Sequence, residues 1–367
     1  MMQYRKLPHG DEQIGVLGMG SSAIGQAGEK EIEATVALAL ENGVNYFDMA
    51  SADAAPFAAY GNAVASAGMR QKVYFQIHFG AEYSTGKYGW TLDLDTIKRS
   101  VDWQLTRLKT DYIDFGFIHC IDEAEDYAKA RAAGTIDYLL DLKRQGVVRH
   151  IGMSSHTPAV ADQVLDTGIL DMLMFSINPA YDYQKGEYGL GEVDQRMALY
   201  RRCEAQGVGI SVMKAFAAGQ LLDAQRSPFG LALTRYQCLQ YALDRPGVLT
   251  VLPGVRDRRD LQALLGFFDA PAGERDYSVL GGVAPKAAEG VCTYCNHCQP
   301  CPMGLDVGLI NKYYDLARMG DELAKEHYRT LEKHASDCVA CGHCDGRCPF
   351  HVHQMQRMQQ IAAWFGE

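Results

Sequence analysis

The sequence has 367 residues, of which 47% are hydrophobic and 22% are charged, and its formal net charge is −10. The length allows about two domains, and the composition is that of a globular protein without a membrane helix, which needs an apolar run of about 18 residues. The net negative charge argues against a binder of nucleic acid or membrane surfaces, because such proteins present a basic face.

In chain order, the sequence first predicts strands that alternate with amphipathic helices. The first residues lack the apolar core of a secretion signal, which predicts a cytoplasmic protein. Eight short apolar or β-branched runs then recur, at residues 14–19, 45–49, 73–79, 112–119, 150–154, 172–178, 209–214 and 248–253. Between these runs, apolar residues recur at helical spacing in residues 31–41, 94–108 and 134–144. Residues 1–270 are therefore predicted to form a (β/α)8 TIM barrel. A doubly wound open sheet is the alternative, but no G-x-G-x-x-G motif follows the first strand.

Polar and titratable residues end most of the predicted strands. In a (β/α)8 barrel the active site is built at the C-terminal ends of the strands. Those ends carry Asp48, His78, His119, Ser154, Ser155, His156, Asn178 and Lys214. Each residue alone could be a core histidine or a solvated rim residue, but together they predict a site at the barrel mouth. The Gly- and Tyr-rich loops 80–90 and 179–188 could present aromatic surfaces to a planar ligand there.

The chain has 11 cysteines, and most of them fall in two tight groups near its end. The first group is Cys292, Cys295, Cys298 and Cys301, and the second is Cys338, Cys341, Cys344 and Cys348. The second group matches the run C-x2-C-x2-C-x3-C-P that holds iron–sulfur clusters in bacterial ferredoxins. Three thiolates at this spacing let one loop bind three irons of a cluster, and the fourth cysteine ligates the other cluster. Disulfides and zinc sites are the alternatives.

The ferredoxin pattern predicts crossed ligand sets. One cluster would be held by Cys292, Cys295, Cys298 and Cys348, and the other by Cys338, Cys341, Cys344 and Cys301. The first group has two residues rather than three before Cys301, so the crossing is a prediction separate from the ligand set. Residues 291–367 are thus predicted to form a small ferredoxin-like domain with two [4Fe–4S] clusters. Residues 271–290, which contain Pro and Gly, are predicted to link it to the barrel.

Three further motifs and the cysteine groups carry a resemblance to a known family. The motifs are N-Y-F-D-M-A at residues 45–50, T-D-Y-I-D-F-G-F-I-H at 110–119 and R-H-I-G-M-S-S-H at 149–156. With them, the chain resembles the aldo/keto reductase superfamily over nearly its whole length, in particular members with a C-terminal ferredoxin-type module. The resemblance implies a (β/α)8 barrel that binds NADPH and reduces carbonyl groups of small molecules. It also implies a tetrad of Asp, Tyr, Lys and His, with the tyrosine as general acid.

Only half of that tetrad is retained. Asp48 fits the family aspartate, and His119 fits the histidine that ends the fourth strand. Asp53 stands five residues after the aspartate, where the family has its tyrosine, and His78 stands in the place of the lysine. Tyr60 lies nearby, but its neighbours fit the following helix better. We therefore predict that Asp48, Asp53, His78 and His119 supply acid–base chemistry.

The cofactor-binding positions are also altered. Ser154 fits a serine that contacts the nicotinamide amide, but Ser155 replaces the usual asparagine beside it. Gly254 is retained after the eighth strand, and Arg256 with the neighbouring arginines could hold a phosphate. The other candidates for binding substrate or cofactor are His156, Asn178 and Lys214. These changes predict weak NADPH binding, and they leave flavin as an alternative cofactor.

The preferred function is an oxidoreductase in which the barrel site exchanges electrons with the two [4Fe–4S] clusters. An NADPH-linked carbonyl reductase with an altered tetrad is one alternative. A barrel that serves only as a scaffold for an electron-carrying module is the other. A small-molecule substrate and a redox partner protein are the expected partners, without nucleic acid or membrane.

Overall fold

The computed structural model describes residues 1–183, 193–283, 290–318 and 322–367. Its strands are β1 (Tyr4–Lys6), β2 (Gln13–Gly15), β3 (Met19–Gly20), β4 (Tyr46–Asp48), β5 (Tyr74–Phe79), β6 (Ala81–Glu82), β7 (Gly89–Trp90), β8 (Ile113–Ile118), β9 (Val148–Ser155), β10 (Met172–Ser176), β11 (Gly209–Met213) and β12 (Val248–Val251).

Its helices are α1 (Glu29–Glu41), α2 (Ala55–Ser66), α3 (Leu94–Leu108), α4 (Ala124–Ala132), α5 (Thr135–Arg144), α6 (Pro158–Leu165), α7 (Pro179–Tyr183), α8 (Val193–Ala205), α9 (Arg235–Leu243), α10 (Arg258–Leu265), α11 (Ala272–Arg275), α12 (Val307–Arg318), α13 (Glu322–Arg329) and α14 (Gln354–Phe365). Among the described residues, every helix is too short or too polar to span a lipid bilayer.

Eight parallel strands of the described chain form a barrel. Their order is β3, β4, β5, β8, β9, β10, β11 and β12. The sheet closes just before β3, where Leu17 forms a parallel bridge with Val251. The N–H of Gly18 donates to the Val251 carbonyl at 3.0 Å, and the N–H of Val251 donates to the Val16 carbonyl at 2.9 Å. The predicted (β/α)8 barrel is confirmed.

A hairpin seals the end of the barrel where the strands begin. Strands β1 and β2 pair antiparallel, and Leu7 and Ile14 of this hairpin are fully buried. They pack inside the barrel against Tyr46, Phe115 and Leu249. Because this end is filled by apolar side chains, the polar strand ends meet at the opposite, open end.

The prediction of one strand over residues 14–19 is wrong. Ile14 pairs antiparallel with Arg5 in the hairpin, whereas Met19 pairs parallel with Phe47 in the barrel. Residues 14–19 form one unbroken apolar run because both halves of this segment are buried in the same barrel. The helix predicted over residues 94–108 coincides with α3. Asp93 is the N-cap residue of this helix, and its carboxylate accepts a hydrogen bond from the Thr96 N–H at 2.8 Å.

The segment predicted as a linker packs on the barrel as far as it is described. Residues 272–275 form α11, and residues 278–282 form a 3-10 turn. Tyr277 and Leu280 are buried, and the Tyr277 hydroxyl donates to Asp244 at 2.9 Å. Residues 284–289 lie outside the described residues. The boundary between the two domains stays a prediction.

The C-terminal module has a small core of its own and a polar interface with the barrel. Its core contains Leu305, Ile310, Tyr328, Met358 and Ile361. At the interface, α8 contributes Arg201, whose Nε donates to the Tyr294 hydroxyl at 2.6 Å. The same guanidinium donates to Asp315 of α12 at 2.9 Å.

Candidate functional site

Four side chains at the open end of the barrel form one chain of hydrogen bonds. His78 Nε2 lies 2.7 Å from Asp48 Oδ1, and His78 Nδ1 lies 2.9 Å from Nδ1 of His119. His119 Nε2 lies 2.7 Å from the hydroxyl of Tyr88. We refer to Asp48, His78, His119 and Tyr88 as the hydrogen-bond relay. It joins three predicted site residues to a tyrosine that the sequence did not single out.

The direction of these hydrogen bonds follows from the charges of the members. Burial, together with the neighbouring His78, holds the pKa of His119 well below its ordinary value, so this ring is neutral near pH 7. Burial raises the pKa of Tyr88 to about 12, so its hydroxyl keeps its proton. A neutral imidazole has one donor and one acceptor nitrogen. With the Asp48 carboxylate as acceptor and one proton on each ring, Tyr88 donates to His119, His119 donates to His78, and His78 donates to Asp48.

A buried glutamine supports the carboxylate end of the relay. Gln76 and His78 are two residues apart on β5, so both side chains point into the barrel. Gln76 Nε2 donates to Asp48 Oδ1 at 2.8 Å and lies 3.0 Å from His78 Nε2. The Tyr46 hydroxyl donates to Gln76 Oε1. Our sequence reasoning missed Gln76, although its two-residue spacing from His78 was an available signal.

The loop at residues 80–90 brings two aromatic rings to the mouth. Strands β6 and β7 form a short hairpin in this loop, and Tyr88 and Trp90 are 42% and 43% exposed. Trp90 Nε1 donates to the His119 carbonyl at 3.4 Å. The loop at 179–188 is described only to residue 183, and its remainder lies outside the described residues. A planar ligand at these rings stays a prediction.

Asp53 is not a member of the relay and lies beside the loop that carries Tyr88. Its carboxylate forms an ion pair with Lys87 and accepts a hydrogen bond from Gln26 Nε2 at 3.0 Å. Asp53 and Lys87 also form an antiparallel bridge, and the Tyr88 N–H donates to the Ala52 carbonyl at 3.0 Å. These contacts connect the loop after β4 to the loop that carries Tyr88. The described contacts of Asp53 therefore position Tyr88.

A cavity of ≈690 Å³ opens beside the relay. Pockets of about 300–1,000 Å³ are typical of small-molecule and cofactor sites. Three predicted binding residues line it together with the relay aspartate: Asp48, Lys214, Gly254 and Arg256. Arg226 and Arg235 also line the cavity, and our sequence reasoning missed both. No motif marks these two arginines: Arg226 lies between β11 and α9, and Arg235 is the first residue of α9.

Asn178 shapes the part of the cavity wall that carries Lys214. Its Nδ2 donates to the Lys214 carbonyl at 2.8 Å, and its Oδ1 accepts the Tyr181 N–H at 3.0 Å. Lys214 has a φ of +58°, a left-handed conformation that costs energy in a non-glycine residue. The buried Asn178 holds the turn through this backbone carbonyl.

The predicted residues 154–156 contact the segment that follows β8. Ser154 Oγ accepts the N–H of Cys120 at 2.8 Å. Ser155 Oγ donates to Asp122 Oδ1 at 3.3 Å, and the His156 N–H donates to the same oxygen at 2.6 Å. The end of β9 therefore holds a loop at the mouth.

The C-terminal cysteines pack in two places. Cys301, Cys338, Cys341 and Cys344 line one small cavity. Cys292, Cys295 and Cys348 belong to the apolar cluster of the barrel, whereas Cys298 belongs to the core of the C-terminal module with Cys301, Cys338 and Cys344. The crossed ligand sets stay a prediction.

The backbone of both cysteine groups suits iron–sulfur clusters. Tyr294 and Asn296, on either side of Cys295, have φ values of 59° and 58°, and Ala340 before Cys341 has 53°. Alternation of right- and left-handed residues turns successive N–H groups inward, and such concavities bind anionic groups, including iron–sulfur clusters. The cysteines and backbone therefore fit clusters, whose thiolate and sulfide atoms accept hydrogen bonds.

Comparison with known proteins identifies both parts of the chain. The model of the aldo/keto reductase family matches residues 16–231, and the model of a 4Fe-4S dicluster domain matches residues 291–353. The chain belongs to the aldo/keto reductase family. It is an oxidoreductase of this family with a 4Fe-4S dicluster domain at its C-terminal end.

Several relatives share the reductase barrel. An uncharacterized oxidoreductase, YqkF of Bacillus subtilis, is 29% identical over 279 residues, 69% of this chain and 87% of that protein. Protein tas of Escherichia coli is 27% identical over 224 residues, 53% of this chain and 65% of that protein. The holo form of aldo-keto reductase AKR11C1 from Bacillus halodurans has a TM-score of 0.62 and 22% identity, over 78% of this chain and 97% of that one. This last similarity concerns the fold alone.

Basic side chains line the cavity of this aldo/keto reductase, but carboxylates already pair with the arginines that follow the eighth barrel strand. Arg256 forms a bidentate pair with Asp260, at 2.6 and 3.1 Å. Arg258 forms a second bidentate pair with Glu31, at 3.1 and 2.9 Å. NADPH binding in this cavity stays a prediction. An adenosine phosphate at Arg256 would have to compete with a carboxylate.

Proposed function

We propose that this reductase interconverts a small carbonyl compound and its alcohol with electrons that pass through two [4Fe–4S] clusters. The observation that carries this proposal is the packing of Cys292 and Cys295, from the first cysteine group, on the barrel core. Cys292 and Tyr294 are buried in one apolar cluster with the barrel residue Tyr183. A module that is built into the barrel wall in this way would deliver electrons to the barrel.

The contacts around Cys292 support a fixed position for the iron–sulfur cluster that this cysteine would bind. Arg245 follows α9, is buried, and donates to the Thr293 carbonyl at 2.9 Å and to the Tyr277 hydroxyl at 3.1 Å. Gln354 Nε2 lies 3.6 Å from Cys292 Sγ. Hydrogen bonds to cluster sulfurs and burial are two of the factors that set cluster potentials. We propose that this cluster is the one that exchanges electrons with the barrel.

The second cysteine group faces solvent, which supports entry of electrons from a redox partner protein. Cys341 is exposed, and the neighbouring Val339 is 59% exposed. The order of transfer would then run from the partner to the exposed cluster, to the buried cluster and to the substrate.

The relay would supply the protons. Reduction of a carbonyl to an alcohol takes up two electrons and two protons, and bound clusters supply electrons one at a time. Tyr88 is the outer member of the relay, so its hydroxyl is the group that would hand a proton to the substrate oxygen. His119 and His78 can take up and pass on protons because each ring has two nitrogens in the relay. Asp48 would stabilise the positive charge on His78 when a proton arrives there.

A second candidate is an NADPH-linked carbonyl reductase, and the cavity of ≈690 Å³ next to Asp48 favours it. NADPH supplies a hydride when bound, and the protein must supply one proton. Tyr88 would then act as the general acid from a different loop than the family tyrosine. In this case the clusters would serve another purpose.

The experiment that separates the candidates uses holoenzyme purified without oxygen. Reduced methyl viologen, without nucleotide, serves as electron donor for a panel of small aldehydes and ketones, and NADPH replaces the viologen in a parallel series. We expect viologen oxidation that depends on a carbonyl compound and that is lost in Cys341→Ala and His119→Gln. Cys238→Ala is the matched thiol control, because Cys238 is buried in α9 and lies outside both cysteine groups.

Turnover with NADPH that survives Cys341→Ala would instead establish the second candidate. If neither donor supports reduction of any carbonyl compound, the proposal fails. A barrel that acts only as a scaffold would then be the better account.

A further inference from the structure

We infer that Cys120, Asp122 and His156 form a binding site for a zinc-class divalent cation at the barrel mouth. One sulfur, one oxygen and one nitrogen from these side chains all lie within 4.8 Å of one another. Thiolate, carboxylate and imidazole are the ligand types that proteins use for Zn²⁺. This site goes beyond the proposed function and does not depend on it.

The spacing of the donor atoms is close to that of a tetrahedral site. Cys120 Sγ lies 3.7 Å from Asp122 Oδ2, and His156 Nδ1 lies 2.9 Å from the same oxygen. Zn–S bonds of about 2.3 Å and Zn–O or Zn–N bonds of about 2.0–2.1 Å place sulfur and oxygen about 3.5 Å apart. The same bonds place nitrogen and oxygen about 3.3 Å apart. The Cys120–Asp122 spacing therefore already fits, and the His156–Asp122 spacing would open slightly as a cation replaces the shared proton.

Neighbouring groups hold each ligand in place. Cys120 has a left-handed φ of 51°, and its N–H donates to Ser154 Oγ at 2.8 Å. The second carboxylate oxygen, Asp122 Oδ1, accepts the His156 N–H at 2.6 Å and the Ser155 hydroxyl at 3.3 Å. These bonds leave Oδ2 directed at the thiol and the imidazole. Supporting hydrogen bonds of this kind orient the ligands of metal sites.

The number of ligands and their exposure indicate an open site. The side chains of His156 and Asp122 are 13% and 32% exposed, so a cation can enter from solvent. Structural zinc sites are closed by four protein ligands, whereas catalytic ones have three and a water. Cys120 directly follows His119, so the site lies at the mouth next to the relay. The cation that we propose could hold a water or a substrate oxygen there.

The test uses full-length protein with its clusters loaded, so that the C-terminal cysteines cannot take up zinc. Holoprotein is dialysed anaerobically against ZnCl₂, and zinc, iron and sulfide are measured together. Zinc K-edge absorption spectroscopy then counts the sulfur ligands of the bound zinc. We expect one zinc per chain, beyond an unchanged iron and sulfide content, with one sulfur neighbour at about 2.3 Å and otherwise nitrogen and oxygen.

Variants assign the zinc to these residues. Cys120→Ala and His156→Gln should each weaken zinc binding at least 100-fold, and Ser155→Ala should weaken it about 10-fold through Asp122. Cys238→Ala, the barrel thiol control, should bind zinc like the wild type. Zinc that binds Cys120→Ala as tightly as the wild type would overturn the site, as would a wild-type spectrum with four sulfur neighbours. Wild-type holoprotein that binds no zinc would also overturn it, whether or not any variant folds.

Discussion

Replacement of Tyr88 by phenylalanine is the sharpest test of the hydrogen-bond relay. Tyr88→Phe removes one hydroxyl, 2.7 Å from His119 Nε2, and keeps the ring. Tyr88 is half exposed, so the lost hydrogen bond should cost about 0.5–1.5 kcal/mol of folding free energy. Loss of a positioned general acid typically slows turnover by about 10²–10⁴-fold. At 1.36 kcal/mol per tenfold change, this is about 2.7–5.4 kcal/mol of activation free energy. The kinetic loss should therefore exceed the loss of stability.

Tyr83→Phe is the matched control from the same loop. Tyr83 is buried, and its hydroxyl accepts the Ser51 N–H at 3.2 Å, outside the relay. Removal of this acceptor leaves a buried donor unsatisfied, which typically costs about 1–3 kcal/mol of stability. The two variants should thus show opposite patterns. Tyr83→Phe should lose more stability, and Tyr88→Phe should lose more activity.

Three measurements check this comparison. Carbonyl-dependent viologen oxidation gives the turnover, and urea unfolding gives the stability. Titration of the histidine ring protons by NMR gives the pKa of His119. Because the Tyr88 hydroxyl donates to the neutral ring, its loss should raise the pKa of His119 toward its ordinary value. An unchanged pKa and unchanged turnover in Tyr88→Phe would refute the relay, and the NMR result stands even without a known substrate.

Four further predictions follow from other parts of the molecule. Anaerobic protein should contain about eight iron and eight sulfide per chain, and Cys341→Ala should unfold the C-terminal module while far-UV circular dichroism shows the barrel intact. Asp53→Asn should weaken the ion pair that holds the Tyr88 loop and lower turnover by less than Tyr88→Phe does, with the pKa of His119 shifted in the same direction. NADPH should bind with a dissociation constant above roughly 100 μM in a fluorescence titration, or no more than about −5.5 kcal/mol. Burial alone would raise the pKa of Asp171, but hydrogen bonds from His150 and Lys143 lower it from 3.8 to about 2. The free energy of unfolding that Asp171 contributes above pH 4 should therefore be lost as the pH falls toward 2. The free energy of unfolding of Asp171→Asn, measured with urea, should not show this decrease.

The barrel could be predicted from sequence because its parallel strands are buried on both faces. Such strands are short, continuous apolar runs, and their spacing with helices is characteristic of a (β/α)8 fold. The same property caused the error at residues 14–19. Ile14 belongs to the sealing hairpin and Met19 to the barrel, yet both are fully buried, so the apolar pattern does not change between them.

The candidate site could be predicted only where regular strands carry it. Asp48, His78 and His119 follow from the rule that strand ends meet at the mouth. Tyr88 does not, because it reaches His119 from a loop whose path depends on Lys87 and on a short hairpin. Arg226 was missed for the same reason. A loop has no periodicity from which a contact can be inferred, so only the structure shows which of its residues faces the site.

The two changed tetrad positions have a common physical consequence. In the family, a lysine next to the tyrosine lowers the pKa of the phenol, which suits one proton delivered together with a hydride. Here His78 is predicted at the lysine position, and it lies 2.7 Å from Asp48 and is linked to Tyr88 through His119. Burial raises the pKa of Tyr88 to about 12. Such a phenol gives up its proton only to a strongly basic oxygen, and it must be reprotonated before a second transfer. Two linked imidazoles can pass on that second proton after taking it up from solvent. The arrangement therefore suits reduction in single-electron steps with a proton in each, which is the demand that a pair of iron–sulfur clusters would make.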